Sequence, residues 1–235
     1  MKRPKYKDKE GGDINVEELA AEIIKEINKV RSDPESYIKF IEKDKSYIKD
    51  SVVYRPSEDP FFLNKGEEIY DEAIDFLSKQ EAVDELEIDE RITSACSDKI
   101  SEIVSYQKLD FNEEGEPIWE IMEKYADWDF FIIQNLEIGT KSARDIVINL
   151  ILSDNDVFRS TRNNMFRKDI KFIGAACHLY EGHDVASYIC YLGNVRDTES
   201  AFPDLEEQQI QLKRDDWEKL AENIKDKTVD SSFRE

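Results

Sequence analysis

Histidine is nearly missing from this chain: 235 residues hold two, His178 and His183. That scarcity argues against a histidine-based metal centre and against catalytic couples that need an imidazole base. Cysteine is scarce as well. Cys96, Cys177 and Cys190 are odd in number and widely spaced, with no CxxC pair and no Cys/His cluster, so structural zinc is excluded. No apolar run reaches the ~18–20 residues of a membrane span. The N-terminus shows no apolar core of a secretory signal, and Glu10, Asp13, Glu17 and Glu18 argue against a transit peptide. The chain is therefore expected to be cytoplasmic rather than secreted, with reduced thiols. P-loop, dinucleotide, HExxH and GxSxG patterns are missing too.

Basic charge is also in deficit. Fifty-four acidic side chains face 33 basic ones, a net charge of -21. Such a surface repels nucleic-acid phosphates and anionic membranes. It serves either as a solubility feature or as a face for basic protein partners. Residues 1–9 run against the trend, with Lys2, Arg3, Lys5, Lys7 and Lys9 against Asp8. They read either as a mobile terminus or as a segment that docks on an acidic surface.

Apolar material is sufficient for a core: 40% of residues are hydrophobic, with 12 Phe, 10 Tyr and 3 Trp. Leu19, Ile23, Ile24, Ile27 and Val30 recur at helical spacing over residues 16–30, with Asp13 as the expected N-cap. Pro34 opens a second helix over 34–42, and residues 44–62, with Pro56 and Pro60, read as irregular. Further helices are predicted over 66–79, 89–106, 118–125 and 142–152. Residues 130–136 fit a strand or a buried turn. Two β-rich runs, 172–179 and 185–192, flank Gly182 and predict a hairpin. A turn centred there pairs residue 177 with about 187, which leaves Cys177 and Cys190 out of register for a disulfide. Many helices on a small late antiparallel sheet give an α+β fold, layered α-β-α. The chain divides into a basic extension (1–13), a domain (14–197) and an acidic tail (198–235), in which Ile210, Trp217, Leu220 and Ile224 form an amphipathic stripe.

Constellations for chemistry are few. Cys177 and His178 are strand neighbours and point to opposite faces. Asp110, Asn112, Glu114 and Gly115 begin like a calcium loop, but its twelfth position is Ile121, with Pro117 interrupting. Carboxylate pairs such as Glu113/Glu114 and Asp127/Asp129 arise by chance among so many acids. Arg159 and Arg162, followed by Asn163, Asn164 and an aromatic residue, are more specific. They are expected to pair with carboxylates of the acidic turn 153–156 and pin it.

Several stretches in order resemble one family. These are Asn28, Arg31 and Pro34 at the end of the first helix; Glu72 to Leu77 followed by Gln80; and Ala95 to Lys99. Gln134-Asn135-Leu136, residues 146–165, and Ile173 to Ala176 follow. Together they resemble the CAP superfamily of SCP-like domains, in the divergent form found in single-celled eukaryotes. The resemblance implies a three-layer α-β-α sandwich. It also implies a cleft where relatives carry two His and two acidic residues able to hold a divalent metal. Here Lys99, Gln134 and Thr161 stand at three of those positions. An ammonium has no lone pair and repels a cation, so the resemblance implies a pocket without metal, cofactor or catalytic residues. The expectation is a non-enzymatic structural or interaction protein bound to protein partners in a larger intracellular assembly, of axonemal (ciliary) or cytoskeletal type. The alternative is a binder of lipid or another small ligand.

Overall fold

The computed structural model describes residues 14–56, 58–105, 115–180 and 184–197. The basic extension, residues 110–114 of the calcium-loop-like stretch, His183 and the amphipathic tail lie outside the described residues. Helix α1 (Val16–Ser32) follows the apolar stripe of its sequence and buries Ile23, Ile24, Ile27 and Val30 almost completely. Each such side chain contributes roughly 1.5–3 kcal/mol of transfer free energy. Its cap is Asn15, not Asp13: the Asn15 Oδ1 accepts from the Glu18 N–H at 3.2 Å, three residues on, as N-cap geometry requires. Asp33 ends α1 and caps α2 (Pro34–Lys45), so the two helices meet at one residue.

The stretch from 44 to 62 is not irregular throughout. It holds β1 (Ile48–Lys49), β2 (Val52–Val53) and β3 (Phe61–Phe62) in a small antiparallel sheet. Asp50 and Ser51, both left-handed at φ 52° and 62°, make the two-residue turn between the first two strands. Strands this short leave too few residues for alternation to be read. Then come α3 (Glu68–Lys79), β4 (Glu87–Ile88), α4 (Glu90–Ser105) and α5 (Ile118–Glu123). β5 (Asp127–Ile138) is a full strand rather than a buried turn. α6 (Ala143–Leu152) and α7 (Ser160–Met165) precede the hairpin of β6 (Phe172–Tyr180) and β7 (Asp184–Arg196).

The main sheet has the order β4-β6-β7-β5, with β4 parallel and β7 antiparallel to β6. The hairpin register pairs Cys177 with Ser187, as the turn count predicts. Its alternation builds two cores. Ile173, Ala175, Cys177, Ile189 and Tyr191 pack with α1, α2, α3, α6 and α7. Ala176, Ala186, Tyr188, Cys190 and Leu192 pack with α4 and α5 on the other face. The result is a three-layer α-β-α domain, in which Cys177 and Cys190 face opposite sides of the central sheet.

Two side chains of α1 tie the layers' edges together. Asn28 donates to the Leu86 carbonyl at 2.9 Å and accepts from the Leu86 N–H at 2.8 Å, which aligns β4. Arg31, 1% exposed, donates to the backbone carbonyls of Asp84 (2.9 Å), Met165 and Arg167 (3.3 Å). On the opposite face, α4 lies directly on β6: a Cβ at Gly174 would sit 2.4 Å from the Thr93 nitrogen.

Gly174→Ala is expected to lower stability by about 2 kcal/mol or more, since backbone rather than a flexible side chain must give way. Arg31→Met is expected to cost roughly 3 kcal/mol, because it strands buried carbonyls that only a long donor reaches. Equilibrium urea denaturation measures both; a change within about 0.5 kcal/mol in either variant, the ordinary range for a neutral surface substitution, contradicts the packing described.

Candidate functional site

Each of the three positions singled out by sequence is bonded within its own neighbourhood. Lys99, on α4, donates to Glu102 Oε2 at 3.0 Å and to the Glu116 carbonyl at 2.7 Å. Gln134, on β5, accepts from the Tyr188 hydroxyl. Both belong to the α4 side of the sheet. Thr161, on α7, donates to the Leu150 carbonyl at 2.8 Å and lies 2.7 Å from the Ser153 hydroxyl. It belongs to the α1 side, where Met165 of the same helix is buried. The three side chains therefore do not converge on one point. Among the described residues, no group of three or more His, Cys, Asp or Glu side chains is placed to hold a metal ion.

Arg159 and Arg162 do pin the 153–156 turn, but not through its carboxylates. Arg159 donates to the backbone carbonyls of Ser153 (2.9 Å) and Asp156, and Arg162 to that of Leu152 (3.2 Å). The carboxylate partner is Glu72 of α3. It meets Arg159 at 2.8 Å and Arg162 at 3.1 Å, and these cations hold its carboxyl down at about 2. The turn's own carboxylates are engaged elsewhere. Asp154 accepts from the Lys65 N–H at 3.1 Å and from that of Asn64; Asp156 accepts from the Phe158 N–H at 2.8 Å and from that of Ser160.

A larger polar cluster escaped the sequence reading. Arg55, in the segment between β2 and β3, makes a two-pronged ion pair with Asp44 of α2 at 2.7 and 2.6 Å, with both side chains buried. Tyr70 of α3 donates to the same carboxylate at 2.7 Å, and the guanidinium also donates to Asn149 Oδ1 at 2.8 Å. Asn149 passes the network on: its amide donates to Glu137 Oε1 at 2.8 Å, and Thr140 donates to the same oxygen at 2.6 Å. Glu58 is fixed by the Lys141 N–H at 2.8 Å. Arg55 lies in the wall between two cavities. One, of about 800 Å³, opens toward Glu26, Arg144 and Asp145; the other, of about 740 Å³, toward Glu58, Phe62, Glu137 and Asp154.

The electrostatics are unbalanced. Arg55 is matched by Asp44, and with Lys141 and Arg144 nearby it only partly offsets Glu58, Glu137 and Asp145. Burial pushes all three carboxyls above their ordinary values, and Asp145 repels Glu58 as Glu58 repels Glu137. One oxygen each of Glu58 and Glu137 has no hydrogen-bond partner among the protein groups. An acid near the end of an apolar strand, Glu137 of β5, was the one signal in the sequence that pointed here. Asp44 and Arg55 carried no such mark, since each sits among other charged residues.

Comparison with known proteins gives one strong likeness. The family described as CAP, the cysteine-rich secretory protein family, matches residues 24–192. No curated protein matches. Among solved structures, the chain is similar to an outer surface protein from Borrelia burgdorferi. The two are 13% identical with a TM-score of 0.41, over 49% of this chain and 80% of that one. It is also similar to an extracellular protein containing an SCP domain from Bacillus anthracis, 8% identical with a TM-score of 0.39. That match takes in 55% of this chain and only 40% of the longer Bacillus protein.

The raised carboxyls set a pH dependence. A group that binds its proton more tightly when folded stabilises the fold below its unfolded value, and that contribution is lost as pH rises through the folded value. Glu58, Glu137 and Asp145 therefore weaken the fold as pH rises above their unfolded values of about 4. Glu72 acts in the opposite sense, its contribution fading as pH falls toward about 2. Glu137→Gln, which mimics the protonated side chain, is expected to gain stability relative to the parent as pH rises above the ordinary carboxyl value of about 4.3. Parallel pH–stability curves for parent and variant would show that Glu137 is not held in this way.

Proposed function

The chain belongs to the CAP family, and from that premise we propose that it acts as a non-catalytic interaction module, a CAP domain serving as a rigid block in a larger intracellular assembly. The observation that carries this reading is the use made of Lys99, Gln134 and Thr161. Each is spent on holding its own helix or strand in place, on two different faces of the sheet, rather than pointed at a common substrate.

Surface features support the partner-binding half of the proposal. Phe62, Val157 and Phe158 are 77%, 85% and 82% exposed. Phe62 ends β3 and the other two precede α7, and the hydrogen bonds from Asn64 and Lys65 to Asp154 join the two segments. Side chains of this kind anchor protein contacts more often than they serve a free surface. The acidic body, the basic extension at 1–13 and the amphipathic stretch near 205–224 add complementary means of attachment. An axonemal or cytoskeletal assembly in the cytoplasm is the setting we propose. A lipid-binding role has less support, because charged side chains line both cavities. No described helix is long and apolar enough to cross a membrane.

The test is affinity capture from native lysate, with mass spectrometry, comparing the full chain, a form lacking residues 1–12 and 201–235, and a Phe62→Ser/Phe158→Ser variant. We expect a reproducible set of assembly proteins, depleted by either change. A full chain that captures nothing, yet turns over a substrate in a manner destroyed by substitution of one cavity residue, would replace the module reading with an enzymatic one.

A further inference from the structure

The cavity of about 740 Å³ has a composition that an assembly module does not require. Five carboxylates line it, from Glu58, Asp59, Glu137, Asp154 and Asp156, against a single basic residue, Arg55. Arg55 brings little free charge: Asp44 neutralises it through two hydrogen bonds, and its guanidinium stacks 4.9 Å from the Phe61 ring centre. Glu137 is nine-tenths buried, and its Oε2 has no hydrogen-bond partner; the same holds for Glu58 Oε2. Unmet acceptors of this kind cost about 1–3 kcal/mol each, more when charged.

We propose that this cavity is a binding site for a small aliphatic diamine or polyamine. One ammonium group is taken by Glu137 and Glu58, the methylene chain runs along Phe61, Phe62 and Leu136, and a second ammonium is met by Asp154 and Asp156. An ammonium carries three donors and no acceptor, the complement of two carboxylates that each lack a donor. Pairing offsets the cost of keeping those charges out of water. Aromatic faces add cation–π attraction, and Phe62 stands largely exposed for it. Asp156 keeps its charge, since hydrogen bonds from Ser160 and the Phe158 N–H hold its carboxyl below the usual range. The second carboxylate pair is what separates a diamine from a monoamine.

An inorganic divalent ion fits less well. It needs about six or more oxygen ligands. Here the Thr140 hydroxyl and the Asn149 amide are already committed to the other oxygen of Glu137. The inference goes beyond the assembly role and does not depend on it.

Isothermal titration calorimetry of the full chain with 1,4-diaminobutane, at about 0.15 M salt so that the acidic surface is screened, tests it. The expected result is one saturable site per chain. Glu137→Gln and Glu58→Gln should each weaken it about tenfold or more. Butylamine should bind more weakly than the diamine. Glu81→Gln, which alters an exposed ion pair with Lys168 well away from the cavity, should leave binding unchanged. Should Glu137→Gln fail to fold, the less buried Glu58→Gln carries the test. The proposal is overturned by no binding, by several weak sites per chain that Glu81→Gln affects equally, or by diamine affinity that survives both cavity variants. Magnesium chloride binding more tightly than the diamine, and lost in Glu137→Gln, would reassign the cavity to an inorganic cation.

Discussion

The side chain of Arg31 holds the edge of this domain together. It leaves the last turn of α1, is excluded from water, and meets backbone carbonyls rather than a carboxylate. Those carbonyls belong to the segment before β4, to the last residue of α7 and to the segment between α7 and β6. Asn28, one turn earlier, clamps Leu86 from both sides. A guanidinium presents its donors in a fixed planar fork, so one residue can satisfy several buried acceptors that an unbranched amine would reach one at a time. The parallel pairing of β4 with β6 depends on this clamp, because a two-residue strand has too few ladder bonds to hold its own register. The position of α4 depends on it in turn, since α4 starts two residues after β4 ends.

The hairpin of β6 and β7 does the complementary work from the centre. Alternation along it sends one set of side chains into the α1-side core and the other into the α4-side core. Gly174 lets α4 approach the strand to a distance that no other residue allows. The same alternation separates the three positions that the sequence singles out. Gln134 faces the layer that holds Lys99, while Thr161 sits across the sheet. Lys99 and Gln134 hold their layer by ordinary hydrogen bonds, and the main buried polar network lies elsewhere. It gathers around Arg55, where α2, α3, β5 and α6 each bring one polar side chain to the boundary of two cavities. Burying more carboxylates there than one guanidinium can balance is unfavourable for stability. It leaves a strongly negative, partly desolvated wall, and that is the property a cationic ligand uses.

Long periodic elements were legible from residue order alone. The apolar stripe of α1, the α3 and α4 helices, α6 and the hairpin all have more than two periods, so their type and facing follow from spacing. The motif residues Asn28, Arg31, Gly174 and the Gln134-Asn135-Leu136 stretch were legible as a family pattern, though their jobs were not. The short elements were lost: β1, β2, β3 and β4 have two residues each, and α7 has less than two turns beside the left-handed Arg159. The pairing of Arg159 and Arg162 was legible in kind but not in partner. The nearest carboxylates in sequence were the obvious choice, and they were already held by backbone N–H groups, whereas Glu72 arrives from another helix.

The sequence by itself determined the α+β class, the family, the register of the hairpin and the scarcity of imidazole. These are local or pattern properties: periodicity, turn position and residue identity do not need to know what lies across the fold. Tertiary structure alone decided that Lys99 and Gln134 are divided from Thr161 by the sheet. It also decided that Asp44, Arg55, Glu137 and Asn149 form one network, and that Glu58 and Glu137 are left short of donors. Those facts rest on which charged groups are buried together. Burial is set by the packing of segments as far as 94 residues apart, and no local signal distinguishes the few acids that end up inside from the many that remain in water.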